Sequence, residues 1–190
     1  MCQDVETFSQ ALKTIKTIFQ IMVKITLITG EGKGKTTLSI GSIFQKQREG
    51  KSILVAQFLK TGVNCGECTY FENKENIRWF TFGKEEFFHS KAQKEEYTVI
   101  MNNGINILEK TLEKTKVDVL LLDEVGIALH FELLSWNQLE GIFHYATDEI
   151  ILTGRKFPEE IKSKVDTIIE IGEIKHPYAK GLEARMGIDF

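Results

Sequence analysis

The sequence predicts an α/β fold: an open, mostly parallel sheet flanked by helices on both faces. Three observations predict it. Short apolar runs alternate with longer segments of helical period between Val23 and Ile171. Several of the runs are continuous rather than alternating, as parallel strands covered on both faces must be. The first run ends in a glycine-rich turn that leads straight into a helical pattern.

Taken in order, the chain begins with Val5, Phe8, Leu12, Ile15 and Phe19, spaced by three or four, the face of an amphipathic helix within residues 1–22. That helix packs on the main domain, serves as a lid or dimer contact, or is upstream extension ahead of a start at Met22. From Val23 the pattern changes. Val23–Thr29, rich in β-branched residues, is the first strand, followed by Ser52–Phe58, Ile77–Phe82, Val117–Leu122, Glu149–Thr153 and Thr167–Ile171. Helices are expected over Thr36–Gln47, Ser90–Thr115 and Ser135–Tyr145. With no repeat or low-complexity linker, residues 23–190 read as one nucleotide-binding domain whose ligands lie at the carboxyl ends of the strands.

Length and charge narrow the function classes. At roughly 150 residues per domain, 190 residues make one domain with a short appendage. A hydrophobic content of 42% with 2 prolines excludes a disordered or collagen-like chain. A net charge of −3 argues against binding nucleic acid by bulk electrostatics. No run approaches the 18 or so apolar residues of a membrane helix, and Asp4 and Glu6 stand where a secretory signal would carry Lys or Arg. Three cysteines, an odd number, do not build a disulfide framework; Cys65 and Cys68 form a C-x-x-C pair lacking further zinc ligands nearby and are expected as ordinary thiols in a loop. A cytoplasmic protein is expected.

The most informative stretch is Thr29-Gly30-Glu31-Gly32-Lys33-Gly34-Lys35-Thr36-Thr37. Glycines let successive backbone N–H groups turn towards an anion, and the following helix N-terminus adds its partial positive charge. Lys35 supplies a full charge for terminal phosphates, and the Thr36 hydroxyl suits a Mg²⁺ ligand. The count differs from G-x-x-x-x-G-K-[ST]: Thr stands at position 29, and Gly30 precedes Gly34 by four, so the loop is one residue tighter.

The apolar run 119–122 ends in Asp123-Glu124, the strand tip with which phosphate-loop proteins hold Mg²⁺ and its waters. Neighbours on a strand point to opposite sides, which leaves open which acid faces the metal; both are expected near the cation, at least one through water. Thr153-Gly154-Arg155 follows another strand, and Arg155 could fork onto phosphate oxygens or simply be a surface residue after a turn. Lys175-His176-Pro177-Tyr178, with Gly181, reads as an ordered C-terminal loop.

The ordered set G-E-G-K-G-K-T-T, Q-F-L-K, G-E, L-D-E, T-G-R, K-H-P-Y and a terminal G-I-D-F resembles the ATP:corrinoid adenosyltransferases of the CobA/BtuR type from Val23 to Phe190. The matching last residues imply a complete C-terminus. The resemblance implies a P-loop, RecA-like sheet and transfer of the 5′-deoxyadenosyl group of ATP to the Co(I) of a reduced corrinoid, with triphosphate leaving. It implies that ATP lies reversed relative to other P-loop enzymes, with attack at the ribose carbon. Co(I) is already a strong nucleophile, which agrees with the lack of a nucleophile–base constellation in the sequence. By matching position, Gly30 to Thr37 would bind triphosphate, Thr36 and Glu124 with Asp123 would meet Mg²⁺ (or Mn²⁺), and Glu67 would approach the nucleoside. Lys35, Glu124 and Arg155 would serve the chemistry, while Lys175, His176 and Tyr178 would close over the site. A homodimer and a flavoprotein reductant are also implied.

One departure concerns the corrinoid side. Where family members carry G-F-T-W, this chain has Glu86-Phe87-Phe88-His89, with His in the Trp position. Phe87 and Phe88 form an apolar wall or fill the core, and His89 could reach cobalt or the corrinoid tail. Two other functions fit the loop and the acids: a nucleoside kinase of thymidine-kinase type, whose zinc lasso needs more C-x-x-C pairs than stand here, and a non-catalytic ATP-dependent module.

Overall fold

A computed structural model describes residues 23–63, 65–84, 88 and 91–175. Six strands form one sheet: β1 (Lys24–Thr29), β2 (Ile53–Phe58), β3 (Ile77–Phe82), β4 (Val117–Asp123), β5 (Ala146–Thr153) and β6 (Thr167–Glu170). Their order is β3-β2-β4-β5-β1-β6, and every pairing is parallel. The helices are α1 (Lys35–Arg48), α2 (Gly66–Phe71), α3 (Lys94–Lys114), α4 (Val125–His130), α5 (Trp136–Phe143) and α6 (Glu159–Lys162).

The continuous apolar strands are explained by two cores, one on each face. Successive side chains of a strand point to opposite faces. In β4, Val119 and Leu121 join Ile43 of α1 and Phe71 of α2, with Val55 and Ile151 from neighbouring strands. Leu120 and Leu122 face the other way, towards Met101, Leu108 and Leu112 of α3 and Leu139 of α5. Each fully buried leucine contributes about 1.5–3 kcal/mol of apolar transfer, so a polar alternate position in this strand would be costly. The polar residue inside the run, Asp118, sits at the strand's amino end and accepts hydrogen bonds from Ser52 N and Oγ at 2.8 and 2.9 Å.

Strand order decides where the site lies. From β1 the chain crosses β5 and β4 to reach β2, whereas from β3 it returns across β2 to β4. Crossovers of one hand running in opposite directions put α1 and α3 on opposite faces. The order also leaves β1 and β4 two places apart, with β5 between them. The carboxyl ends of β1, β4 and β5 therefore meet at one edge of the sheet, where α1 begins.

The expected elements differ from the structure in specific places. The fifth strand begins at Ala146, not Glu149. Asp148 and Glu149 disguise its start, and the charge is answered in space by Lys46, 3.6 Å from each, and Lys51, 3.2 Å from Asp148. The helix expected from Ser90 starts at Lys94, preceded by a 3₁₀ turn at Lys91–Gln93. The short helices α2, α4 and α6 were not anticipated, because six residues or fewer are too few to show a helical period. The amphipathic pattern of residues 1–22 lies outside the described residues, as do Phe87, His89, His176 and Tyr178.

Candidate active site

The glycine loop is held by the far end of the chain. Gly32 N donates to Ile171 O at 2.8 Å, and Ile171 N donates to Thr29 O at 2.9 Å, so the residues after β6 lie along the loop. A Cβ at Gly30 would stand 2.4 Å from Ile171 O, and one at Gly32 would stand 2.5 Å from Gly172 O. With φ at +102° for Gly30, neither place admits a side chain. Lys35 folds back into this loop: its ammonium donates to Gly30 O and Gly32 O, both at 2.8 Å, and the residue is 6% exposed. Burial first, then the Arg155 charge, lowers its pKa despite the nearby acids. Glu31, Lys33, Gly34 and Thr37 lie on the exposed side, facing solvent.

The acids at the end of β4 have unequal roles. Asp123 is wholly buried. Its Oδ1 accepts from Thr36 Oγ1 at 3.0 Å and from Thr153 Oγ1 at 2.5 Å. Its Oδ2 accepts from Gln57 Nε2 at 3.0 Å and from Lys60 Nζ at 2.7 Å. Burial would raise the pKa of Asp123, but the charge and hydrogen bond of Lys60, with the other donors, hold it below the ordinary value. Glu124 occupies a left-handed conformation, φ +59°, at the start of α4, and its N–H donates to Thr153 Oγ1 at 3.0 Å. Its pKa is raised, by burial first and by the Asp123 charge second. The pKa values of the two adjacent carboxyls are thus shifted in opposite directions, Asp123 down and Glu124 up.

Lys60 and its neighbours were the part sequence reasoning did not place. Q-F-L-K was visible as a motif, yet no role attached to Gln57 or Lys60, nor to Thr153 of T-G-R. The structure gives all three to Asp123. Lys60 Nζ is also 3.3 Å from Thr36 Oγ1. Burial lowers its pKa, but Asp123 more than reverses this, leaving it raised. A signal was present: Gln57 is a polar residue in a strand buried at all six positions, and a buried amide requires partners.

The remaining expected residues vary in placement. Arg155 does reach the loop, with Nη1 3.7 Å from Glu31 Oε2, an exposed pair that leaves the guanidinium available. Glu67 lies in the first turn of α2, half-buried, with Oε2 3.4 Å from Cys65 Sγ. The expectation of two ordinary thiols in a loop is corrected: Cys65 and Cys68 are disulfide-bonded, and Cys65 caps α2 by accepting from Cys68 N at 3.2 Å. The spacing of three residues across a helix start brings the sulfurs together, which residue counting alone does not reveal. Phe88 packs edge-on against Tyr97 and Phe131, with ring centroids 5.3 and 4.9 Å away, beside the larger core.

Among the described residues no group of three or more His, Cys, Asp or Glu could hold a metal. Mg²⁺ in nucleotide sites needs fewer, usually one or two carboxylates beside phosphate oxygens and water. Thr36 Oγ1 and Asp123 Oδ1, 3.0 Å apart and with a cationic nitrogen already beside them, are hard oxygen donors that fit such an ion.

A parallel sheet, a glycine loop opening into a helix with G-K-T-T, and a threonine–aspartate pair spanning one intervening strand define a P-loop nucleotide-binding protein. Residues 22–190 match the family model for ATP:corrinoid adenosyltransferase BtuR/CobO/CobP. The chain is 30% identical over 177 residues to a corrinoid adenosyltransferase of Sinorhizobium sp, covering 85% of this chain and 78% of that protein. It is 27% identical over 168 residues to the corrinoid adenosyltransferase of Escherichia coli K12, covering 87% and 85%. The corrinoid adenosyltransferase CobA of Salmonella typhimurium is 27% identical over 176 residues, again at 87% and 85%. The chain belongs to the ATP:corrinoid adenosyltransferase family.

Proposed function

We propose that this protein transfers the 5′-deoxyadenosyl group of ATP to the Co(I) of a reduced corrinoid, in the making or salvage of adenosylcobalamin. The observation that carries the proposal is the Lys35 loop joined to the Thr36–Asp123 pair in a chain whose residues 22–190 match that family. The cobalt electron pair forms the bond to C5′, the C5′–O5′ bond breaks, and its electrons leave on triphosphate. No protein base is needed. The residues position ATP and neutralise the leaving group.

Gly30, Glu31, Gly32, Lys33, Gly34, Lys35, Thr36 and Thr37 cradle the triphosphate, and Arg155 closes on it from the end of β5. Lys35 exchanges its two carbonyl partners for phosphate oxygens. Thr36, Asp123 and Glu124 hold Mg²⁺ or Mn²⁺, which when bound supplies charge neutralisation to the leaving triphosphate. Glu67 faces the nucleoside, while Phe87, Phe88, His89, His176 and Tyr178 belong to the corrinoid side. Residues 23–190 form the transferase domain, a boundary that the family match supports, and residues 1–22 form an amphipathic appendage. A homodimer in the cytoplasm, supplied with Co(I) by a flavoprotein, completes the proposal. Among the described residues no helix is long and apolar enough to cross a membrane.

The test is an anaerobic mixture of protein, ATP, Mg²⁺ and chemically reduced cob(I)alamin. A cobalt–carbon absorption spectrum with stoichiometric tripolyphosphate is expected. ATP binding with neither product would leave a non-catalytic module, and phosphorylation of a nucleoside would replace the proposal with a kinase.

A further inference from the structure

Two lysines of the site rest on protein oxygens. Lys35 is held by the loop carbonyls, and Lys60 stands between Asp123 Oδ2 at 2.7 Å and Thr36 Oγ1 at 3.3 Å. The second arrangement is unusual in one respect: those two residues supply the oxygens assigned above to the divalent cation. A metal ion bound to a threonine hydroxyl and a carboxylate sits about 2.1 Å from each oxygen. Lys60 Nζ, 3.3 Å from that threonine oxygen and 2.7 Å from the other oxygen of the same carboxylate, would then stand close beside the ion. Two cations this close repel strongly in a wall this dry, since Asp123 is wholly buried. Either Lys60 leaves or the metal stays out.

Lys60 has the means to leave. Its side chain is 34% exposed, on a flexible four-carbon stem, and it follows β2 outside regular structure. What it lacks without a nucleotide is a better partner than Asp123. A polyphosphate arriving with its metal supplies oxygens to both cations at once, whereas a free aquo-ion supplies none.

We infer that Lys60 is a specificity-determining residue, a tethered cation that closes the Thr36–Asp123 oxygens to free divalent metal and yields to a metal–polyphosphate complex. The inference rests on the ATP-binding role proposed above for this loop, and the two can fail separately.

The test is thermal denaturation of the full chain at pH 8 with MgCl₂ alone, with ATP and MgCl₂, and with neither. K60M, K60M/D123N and the parent are compared, with K60Q as a second variant should K60M not fold. The parent should respond to ATP with Mg²⁺ and not to Mg²⁺ alone. K60M should show a saturable rise in Tm with Mg²⁺ alone, at a half-saturating concentration about tenfold or more below any parent response. D123N in the same background should abolish it. Equal Mg²⁺ responses in parent and K60M, no response in either, or a K60M response that survives D123N would each overturn the inference. A Mg²⁺ response in K60M with no parent response to ATP would keep the role of Lys60 and remove the ATP assignment.

Discussion

Replacing Asp123 by Asn keeps the shape of the buried hub and removes its charge. The amide can place its NH₂ towards Thr36 and Thr153, whose hydroxyls can turn to accept, and its oxygen towards Gln57 and Lys60. Sterically little is lost, so the change reports on the ion pair. Breaking a buried pair from one side costs about 3–5 kcal/mol. Lys60 is a third exposed, so water recovers part of this, leaving about 2–3 kcal/mol. For a chain of this size that lowers Tm by roughly 4–12 °C. The folded pKa of Asp123 lies below its ordinary 3.8, so its contribution is present in full above that value. It fades only as pH falls through the lower folded value. The deficit of D123N should therefore be constant from pH 5 to 8. Circular-dichroism melts of D123N, K60M and the double variant measure it, with a coupling of at least ~1 kcal/mol expected from contacting partners. A D123N melt within about 1 °C of the parent, or additive single effects, would refute the ion pair as the source of stability.

The other predictions concern the loop, the second acid and the disulfide. Lys35→Ala removes a charged donor from the phosphate cradle and should weaken ATP binding roughly 100-fold, ~2.8 kcal/mol, by titration calorimetry; a change under about twofold would show that the loop binds without it. Glu124→Gln should raise Tm at pH 8. The folded pKa of Glu124 is above the ordinary 4.5, so ionising it opposes folding once pH exceeds both values, and the difference should vanish towards pH 4. A Tm gain that persists unchanged at pH 4 would contradict this origin. Cys65→Ser opens a bridge of sequence separation 3; loop-closure entropy puts its loss at about 2 kcal/mol, read by urea denaturation with and without a thiol reductant. Equal stability of the parent in both conditions would argue against the bridge.

Much of the fold was legible because its signals are local. β3 was expected at its observed bounds, and β1, β2, β4 and β6 within one residue of theirs, since a buried parallel strand is an uninterrupted apolar word. G-K-T-T and D-E named the loop and its acids for the same reason. Strand order was not local. That β2 pairs with β4, setting Gln57 opposite Asp123, is a fact about the sheet, and without it Lys60 has no address. The preference of the cluster for Asp123 over Glu124 was hidden likewise, because it follows from the turn into α4 that lifts Glu124 into a left-handed backbone. Ile171 as the clasp of the glycine loop lies about 140 residues from it, beyond any periodicity.

That clasp has a consequence for synthesis. β1 and its glycine loop leave the ribosome before β6, and the backbone partner of Gly32 is translated about 140 residues after it. Until β6 has docked beside β1, the loop lacks the wall that dictates its curvature. Until then the nascent chain carries the nucleotide motif without the backbone contact that braces it. A chain stopped before Thr167 spells the motif but lacks Ile171, which accepts from Gly32 and donates to Thr29.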